Sequence, residues 1–211
     1  AAPAPLPADP PGPDVSLDGW LGGPLTPTVL SPLTEADRAA LADPNLRKAL
    51  SAGTTVLGVA ARSPSGRPAV VCAHPLRTVS DPGMRRRAYR KSHKWWAEAA
   101  LRVPFPNVFW LVDPALVAAV GRLEEKGAAR DLERRLLSNP LWARVYGEGH
   151  RRYALRRWAL VSEADRAYAA GRKGFVASLR DSGVGGVYEP AKVTCLHQQF
   201  AHHLATRAAG P

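Results

Sequence analysis

Two β-rich runs joined by a tight turn constrain the fold of this chain more than any other feature. Residues 54–61 and 68–74 are rich in Val, Ala and Thr, and the turn sequence Ser63-Pro-Ser-Gly66 lies between them. A pair of such runs around a Gly-containing turn predicts a β-hairpin. Residues 107–112 form a third run of the same kind. The sequence therefore predicts a small antiparallel sheet of about three strands.

Capping patterns predict several helices beside this sheet. Thr34-Glu-Ala-Asp37 has the capping-box pattern, and Asp113-Pro114 and Asn139-Pro140 each place an N-cap residue before a proline at the first helical position. The helix from Pro140 is expected to run to about Leu160. Further helices are predicted from Asp43 to Gly53, around Leu132 and Leu136, and from Ser162 to Leu179. Strands followed by helices favour an α+β fold.

The domain organisation follows from composition. Nine of the first 32 residues are proline, so residues 1–33 are predicted to be an extended arm and residues 34–211 a single α+β domain. The arm is either a disordered tail or a segment laid across a partner, anchored by Trp20 and Leu21. Residue 1 is Ala, and the only methionine is Met84. We therefore expect a processed chain, from which an organelle-targeting peptide rather than a secretory signal has been removed.

The net charge indicates which classes of partner this chain would bind. The chain has a net charge of +11 and a pI near 10.3, which favours polyanionic partners such as nucleic acid or an anionic lipid surface. No apolar run of about 18 residues is present, so no transmembrane helix is predicted. Two cysteines do not make a disulfide scaffold. Free thiols are expected, with a Cys72–Cys195 bridge as the alternative.

A basic-aromatic insertion at about residues 80–102 contains the densest positive charge. Six of the ten residues 85–94 are Lys or Arg. Basic side chains release counterions from phosphates, and aromatic rings can stack on unpaired bases. The alternatives are a solvated loop whose tryptophans pack on the sheet, and contact with acidic protein or lipid. The predicted nucleic-acid-binding residues are Arg85, Arg86, Arg87, Tyr89, Arg90, Lys91, Lys94, Trp95 and Trp96.

Residues 182–204 hold most of the side chains that could carry chemistry. This stretch contains three glycines, one cysteine and three of the six histidines. It predicts a glycine-rich turn and then a helix that begins near Thr194 as N-cap. His197 flanks the apolar stripe of that helix, so a core histidine is the alternative to a ligand. The candidate catalytic residues are Cys195, His197 and His202, and the candidate metal ligands are Cys72, His74, Cys195 and His197.

Helix geometry limits how these candidates can act together. Cys195 and His202 lie about 10 Å apart along a straight helix, so a single metal would need ligands from other segments. The helix dipole is expected to favour the Cys195 thiolate, and the alternative is a small structural cysteine. Asp113, Glu124 and Glu125 are candidate acids or bases, although helix capping and surface solvation explain them equally well.

The same stretch resembles a bacterial family, "domain of unknown function 501". The resemblance lies in Lys192-Val-Thr-Cys-Leu-His-Gln-Gln-Phe-Ala-His-His-Leu-Ala205 and in three earlier segments, and it covers about residues 57–205. The earlier segments are residues 60–71, Pro104-Phe-Pro-Asn-Val-Phe-Trp-Leu-Val-Asp-Pro114, and residues 118–127. The family has no agreed activity. The resemblance therefore implies a fold and landmarks only.

Two departures from the family pattern bear on function. The family commonly has Arg-Cys-Pro where this chain has Arg62-Ser63-Pro64, and Thr-Cys-Pro where it has Val112-Asp113-Pro114. If those cysteines bind metal with the terminal Cys-x-His, two ligands are lost here. The segment before Pro104 is also longer than the family's. Together these departures favour the interpretation that an inherited domain has been adapted for binding.

The sequence therefore predicts a non-catalytic basic subunit of an organellar ribonucleoprotein. Among such assemblies, the mitochondrial ribosome is favoured. The protein would lie in the mitochondrial matrix rather than a plastid, contact RNA and neighbouring protein subunits, and need no cofactor. One alternative is a metal- or thiol-dependent, hydrolase-like enzyme that uses the C-terminal Cys/His cluster, with zinc as the metal. The other is a membrane-peripheral assembly factor on anionic lipid. No P-loop, Gly-x-Ser-x-Gly or His-Glu-x-x-His pattern is present.

Overall fold

The computed structural model of this chain describes residues 29–43, 46, 50, 53–79 and 101–207. The helices are α1 (Glu35–Leu41), α2 (Pro114–Glu125), α3 (Ala128–Ser138), α4 (Pro140–Ala159), α5 (Glu163–Ala170), α6 (Phe175–Arg180) and α7 (Leu196–Arg207). The strands are β1 (Val56–Arg62), β2 (Pro68–Ala73), β3 (Leu76–Thr78), β4 (Arg102–Pro104) and β5 (Phe109–Leu111). The predicted α+β class is confirmed. Most of the proline-rich arm, most of the helix predicted from Asp43 and the basic-aromatic insertion lie outside the described residues.

The main sheet has three antiparallel strands in the order β1-β2-β5. The hairpin of β1 and β2 was predicted, and its register pairs Val59 with Val71. At the turn, Ser63 N–H donates to the Arg67 carbonyl at 2.9 Å. Strand β2 lies in the middle, and each of its residues is buried. The sheet is therefore covered on both faces.

Successive residues of β2 pack into two different hydrophobic clusters, because side chains alternate between the two faces of a sheet along a strand. Val70 and Cys72 face the main core, whereas Val71 packs with Leu46 and Val112 on the opposite face. Helices α2, α4 and α7 supply the main core with buried residues that include Val120, Tyr153, Leu196, Ala201 and Ala205.

Strands β3 and β4 form a separate two-stranded ribbon that the sequence did not predict. Leu76 pairs with Pro104, and Thr78 pairs with Arg102. Each strand has three residues, which is too short for a clear alternating pattern. Leu76 packs with Ala169 and Leu179 of α5 and α6 in a third cluster. The undescribed residues 80–100 connect the two strands of this ribbon.

Two predicted helix limits are wrong. The helix expected from Ser162 to Leu179 is two helices, α5 and α6, because the chain turns between them, with Gly174 at a φ of +80°. The last helix begins at Leu196, so Cys195 rather than Thr194 stands immediately before it. The side-chain caps predicted at Thr34, Asp113, Asn139 and Ser162 are all confirmed.

The glycine-rich turn before α7 is needed for close packing. Gly183 lies against the His150 ring, and a Cβ atom there would come within 2.4 Å of Nδ1. Gly185 has a φ of +78°, in the left-handed region that favours glycine. A side chain at position 183 would therefore displace α4 from the turn, whereas one at position 185 would come within 2.2 Å of Thr194 Oγ1 just before α7. Gly183 thus allows the turn to pack against α4.

Candidate metal centre

One carboxylate, one thiol and one imidazole meet where α2 ends and α7 begins. Glu124 lies in the last turn of α2, Cys195 precedes α7, and His197 is its second residue. One ligand atom from each lies within 4.8 Å of the others. Helix α7 is held in this position because it packs on β5, β1 and α2 and buries Leu196 in the main core.

Glu124 forms contacts with the first turn of α7. Its Oε1 accepts a hydrogen bond from the Leu196 backbone N–H at 2.6 Å, and its Oε2 lies 3.1 Å from His197 Nδ1. The carboxylate thus satisfies a backbone donor that the helix itself leaves unpaired. One oxygen remains directed at the imidazole and the thiol.

The partner of His197 Nε2 determines which ring nitrogen carries the hydrogen of the neutral imidazole. Nε2 lies 3.1 Å from the Val117 carbonyl oxygen, which can only accept, so Nε2 carries a hydrogen. Nδ1 of the neutral ring is then a lone pair that faces a carboxylate. Two lone pairs repel at this distance, so this geometry favours a hydrogen or a metal ion between Nδ1 and Oε2. A histidine that donates one N–H to a carbonyl and offers the other nitrogen is the usual arrangement of a metal ligand.

The Cys195 thiol is less acidic than the sequence predicted. Burial is the largest cause and raises its pKa, and the Glu124 carboxylate raises it further. The backbone N–H groups of Gln198 and His197 act in the opposite direction but are outweighed. The expectation of a thiolate favoured by the helix N-terminus is therefore wrong for the protein alone. A bound metal would displace the thiol proton.

This donor set suits a borderline transition metal such as zinc, which takes sulfur, nitrogen and carboxylate oxygen together. The side chains are partly open to solvent, with 25% of His197 and 31% of Glu124 exposed. Three protein ligands and an open side leave room for a fourth, exchangeable ligand. Structural zinc sites instead close with four protein ligands.

The family model described as "Protein of unknown function (DUF501)" matches residues 59–211. The chain belongs to the DUF501 family. No curated protein and no solved structure matches it. The resemblance found in the sequence is thereby confirmed over the β1–α7 region. Since the family is described as of unknown function, a role for this DUF501 chain must be inferred from the residues of its candidate site.

Of the two positions where the resemblance implied cysteine, Asp113 lies at the far end of α2 from the cluster. Ser63 is at the hairpin turn, and Asp113 accepts hydrogen bonds from Ala115 and Leu116 as the N-cap of α2. Asp113 and Glu124 are at opposite ends of α2, about 16 Å apart by the rise of a helix. The aspartate at position 113 therefore takes no part in the Glu124–Cys195–His197 cluster.

Two predicted ligands, Cys72 and His74, are not brought to this cluster. Cys72 is fully buried in the main core, and burial raises its pKa to about 12. His74 is engaged elsewhere, since its Nε2 lies 3.3 Å from Asp165 and its Nδ1 accepts from Leu76 N–H at 3.1 Å. Neither residue therefore belongs to the group formed by Glu124, Cys195 and His197.

The structure also separates the third catalytic candidate from the other two. His202 lies between α7 and α4, stacked on Phe109 at 6.1 Å and edge-on to Tyr153 at 5.0 Å. Glu124 takes its place beside Cys195 and His197. From the sequence, Glu124 was only a candidate acid or base, because no spacing rule relates it to residues about 70 positions later. The predicted RNA-binding residues 85–96 lie outside the described residues.

Proposed function

We propose that this protein is a metal-dependent enzyme of hydrolase type, with the metal held by Glu124, Cys195 and His197. The convergence of their three donor atoms within 4.8 Å is the observation that carries the proposal. A metal in such a site lowers the pKa of a bound water and so supplies a nucleophile near neutral pH.

Each residue has a separate part in this proposal. Val117 orients the His197 ring through its carbonyl, so that Nδ1 faces the metal position. Glu124 would offer one oxygen to the metal while the other keeps its hydrogen bond to Leu196 N–H. Cys195 would bind the metal as a thiolate, after release of its proton to solvent. The partly exposed side of the cluster would admit water and substrate.

Metal binding is tested with Co²⁺, because a cobalt–thiolate bond gives a near-ultraviolet charge-transfer band. We expect the wild-type protein to bind one Co²⁺ per chain and show the band, and Zn²⁺ to compete for the site. Cys195→Ser should abolish the band, and His197→Gln should weaken binding by about tenfold or more. His203→Gln, an exposed change on the same helix, is the matched control. A wild-type protein that binds no stoichiometric metal contradicts the proposal.

The enzymatic part needs a separate measurement. Metal-loaded wild-type protein is assayed against chromogenic carboxylic and phosphoric esters, beside the Cys195→Ser and His203→Gln variants. We expect turnover that depends on the metal, is lost in Cys195→Ser and is kept in His203→Gln. Stoichiometric metal without turnover of either ester class would show a metal-binding protein that lacks the proposed hydrolase activity.

As a second candidate function, we propose a non-catalytic basic subunit of an organellar ribonucleoprotein such as the mitochondrial ribosome. The supporting observation is the distribution of charge. Several arginines of the described fold form salt bridges within the chain, as in Arg62 with Asp37, Arg102 with Asp165, and Arg151 with Glu148. The segment Arg85–Lys94 carries six Lys or Arg and no acidic residue.

This second function is tested by the salt dependence of binding to single-stranded RNA. Neutralising the six Lys and Arg of residues 85–94 should reduce the slope of log K against log salt by roughly 0.7 for each lost phosphate contact. Glutamine at Arg122, Arg130 and Arg135, which are exposed on α2 and α3, is the control. Equal effects of the two sets, or sedimentation of the protein only with light soluble material in organelle extract, would contradict it. Binding to anionic vesicles instead would favour a membrane-peripheral factor.

A further inference from the structure

The segment that leads into α7 is held by two carboxylates from different helices. The residues immediately before α7 form no regular secondary structure, so their backbone N–H groups need acceptors elsewhere. Glu133 of α3 accepts a hydrogen bond from the Val193 N–H at 3.0 Å. Glu124 of α2 accepts one from the Leu196 N–H at 2.6 Å. Cys195 lies between these two attachments, so the path of the chain at the thiol is fixed from both sides.

Glu133 binds this segment through both of its oxygens. Its Oε2 takes the Val193 N–H, and its Oε1 lies 3.0 Å from Lys192 Nζ. The Val193 N–H and then the Lys192 ammonium lower the pKa of Glu133, so the carboxylate is charged at neutral pH. Because 46% of the Lys192 side chain is exposed, the ion pair contributes little. The hydrogen bond to the backbone of Val193 is therefore the main attachment.

The position of the thiol depends on this attachment. Cys195 Sγ accepts hydrogen bonds from the backbone N–H groups of Gln198 and His197, so it is directed at the start of α7. Val193 is buried in the main core and lies only two residues, at most about 7 Å of chain, before the cysteine. His197 has a separate attachment to α2 through the Val117 carbonyl. A displacement of Val193 would therefore move the thiol relative to the imidazole.

We propose that Glu133 is a positioning residue for the metal site, which places the Cys195 thiol opposite Glu124 and His197 without binding the metal itself. Its carboxylate is not one of the three groups that meet there. The inference rests on the function proposed above, because in a protein that binds no metal Glu133 would have only a structural role. Residues that hold metal ligands in place commonly change metal affinity by about 10- to 100-fold.

The test is a Co²⁺ titration of the full-length chain, which reports both the affinity and the thiolate charge-transfer band. Glu133→Leu removes the acceptor for the Val193 N–H. We expect it to weaken Co²⁺ binding by about tenfold or more and to change the energy or intensity of the band at saturation. Glu133→Gln keeps an acceptor oxygen and should restore most of the affinity. Lys192→Gln removes only the exposed ion pair and should change the affinity by less than about threefold.

Asp131→Leu is the matched control, because it removes an exposed acidic side chain from the same helix. This variant should bind Co²⁺ like the wild type and show the same band. A Glu133→Leu protein that is less stable without metal, but equals Asp131→Leu in affinity and spectrum, would show that Glu133 is structural only and would overturn the proposal.

The titration separates this inference from the function on which it rests. A wild-type protein that binds no Co²⁺ would reject the metal site and with it the role of Glu133. A wild-type protein that binds Co²⁺ beside an unaffected Glu133→Leu variant would reject the role of Glu133 alone. If Glu133→Leu does not fold, Glu133→Ser takes its place, since a serine side chain is too short to reach the Val193 N–H.

Discussion

Arg157 is the largest side chain that the described fold buries completely. Its guanidinium forms no salt bridge with a carboxylate of the described residues and donates to three backbone carbonyls, those of Pro106, Leu179 and Ser182. Burial lowers its pKa. These hydrogen bonds join the loop before β5, the last turn of α6 and the start of the glycine-rich turn. One residue thus fixes three segments that local sequence does not bring together.

Arg157→Lys should destabilise the protein by roughly 3 kcal/mol or more, because a lysine cannot reach all three carbonyls and leaves buried acceptors unpaired. Urea unfolding of the two proteins measures this difference. Arg144→Lys, on the exposed side of the same helix, should change the free energy of unfolding by less than about 0.5 kcal/mol. A loss below about 1 kcal/mol for Arg157→Lys would show that water replaces the missing donors.

At the scale of elements, an ion pair joins α1 to the sheet. Both carboxylate oxygens of Asp37 accept from Arg62 of β1, at 2.9 and 2.8 Å. The Arg62 guanidinium and the Thr34 N–H hold the pKa of Asp37 well below its usual range. A carboxyl group with a lowered folded pKa stabilises the fold above its unfolded pKa, about 3.9, and loses this effect as the pH falls through the folded value.

Asp37→Asn should therefore be less stable than the wild type at pH 7, and the difference should shrink as the pH falls below about 4. Urea unfolding at a series of pH values measures the difference, and hydrogen exchange in Glu35–Leu41 locates it. Glu35→Gln changes an exposed acid in the same helix and is the control. A difference that stays constant from pH 7 down to pH 2 would show that the Asp37 charge does not hold α1.

At the scale of the whole molecule, the last helix completes the core that the early strands begin. Leu196, Ala201 and Ala205 of α7 are buried with Val70 and Cys72 of β2. Because the two halves of the main core come from opposite ends of the described chain, neither half can bury its apolar surface alone. The protein should accordingly fold as one cooperative unit.

A chain ended after Thr194 should lose its cooperative unfolding transition, since the sheet would expose the apolar face that α7 covers. Near-ultraviolet circular dichroism and a urea titration detect this loss. A chain ended after Arg207 is the control and should unfold like the full chain. A sharp transition with an unchanged midpoint in the shorter chain would mean that α7 is docked on a core that is already complete.

The sequence alone determined the features that depend on neighbouring residues. The hairpin of β1 and β2, the capped starts of α1, α2, α4 and α5, and the α+β class follow from turn chemistry, capping and alternation. It also identified the family and placed two of the three residues of the Glu124–Cys195–His197 cluster, Cys195 and His197, within one helical turn of each other.

Only the tertiary structure decided which of these residues act together. Glu124 joins Cys195 and His197 because α7 packs beside α2, and His202 departs from them because its side of α7 faces α4. The thiol is less acidic than its helix position implies because burial outweighs the backbone N–H groups. Such contacts depend on the packing of segments far apart in the chain, and spacing along the sequence carries no record of that packing.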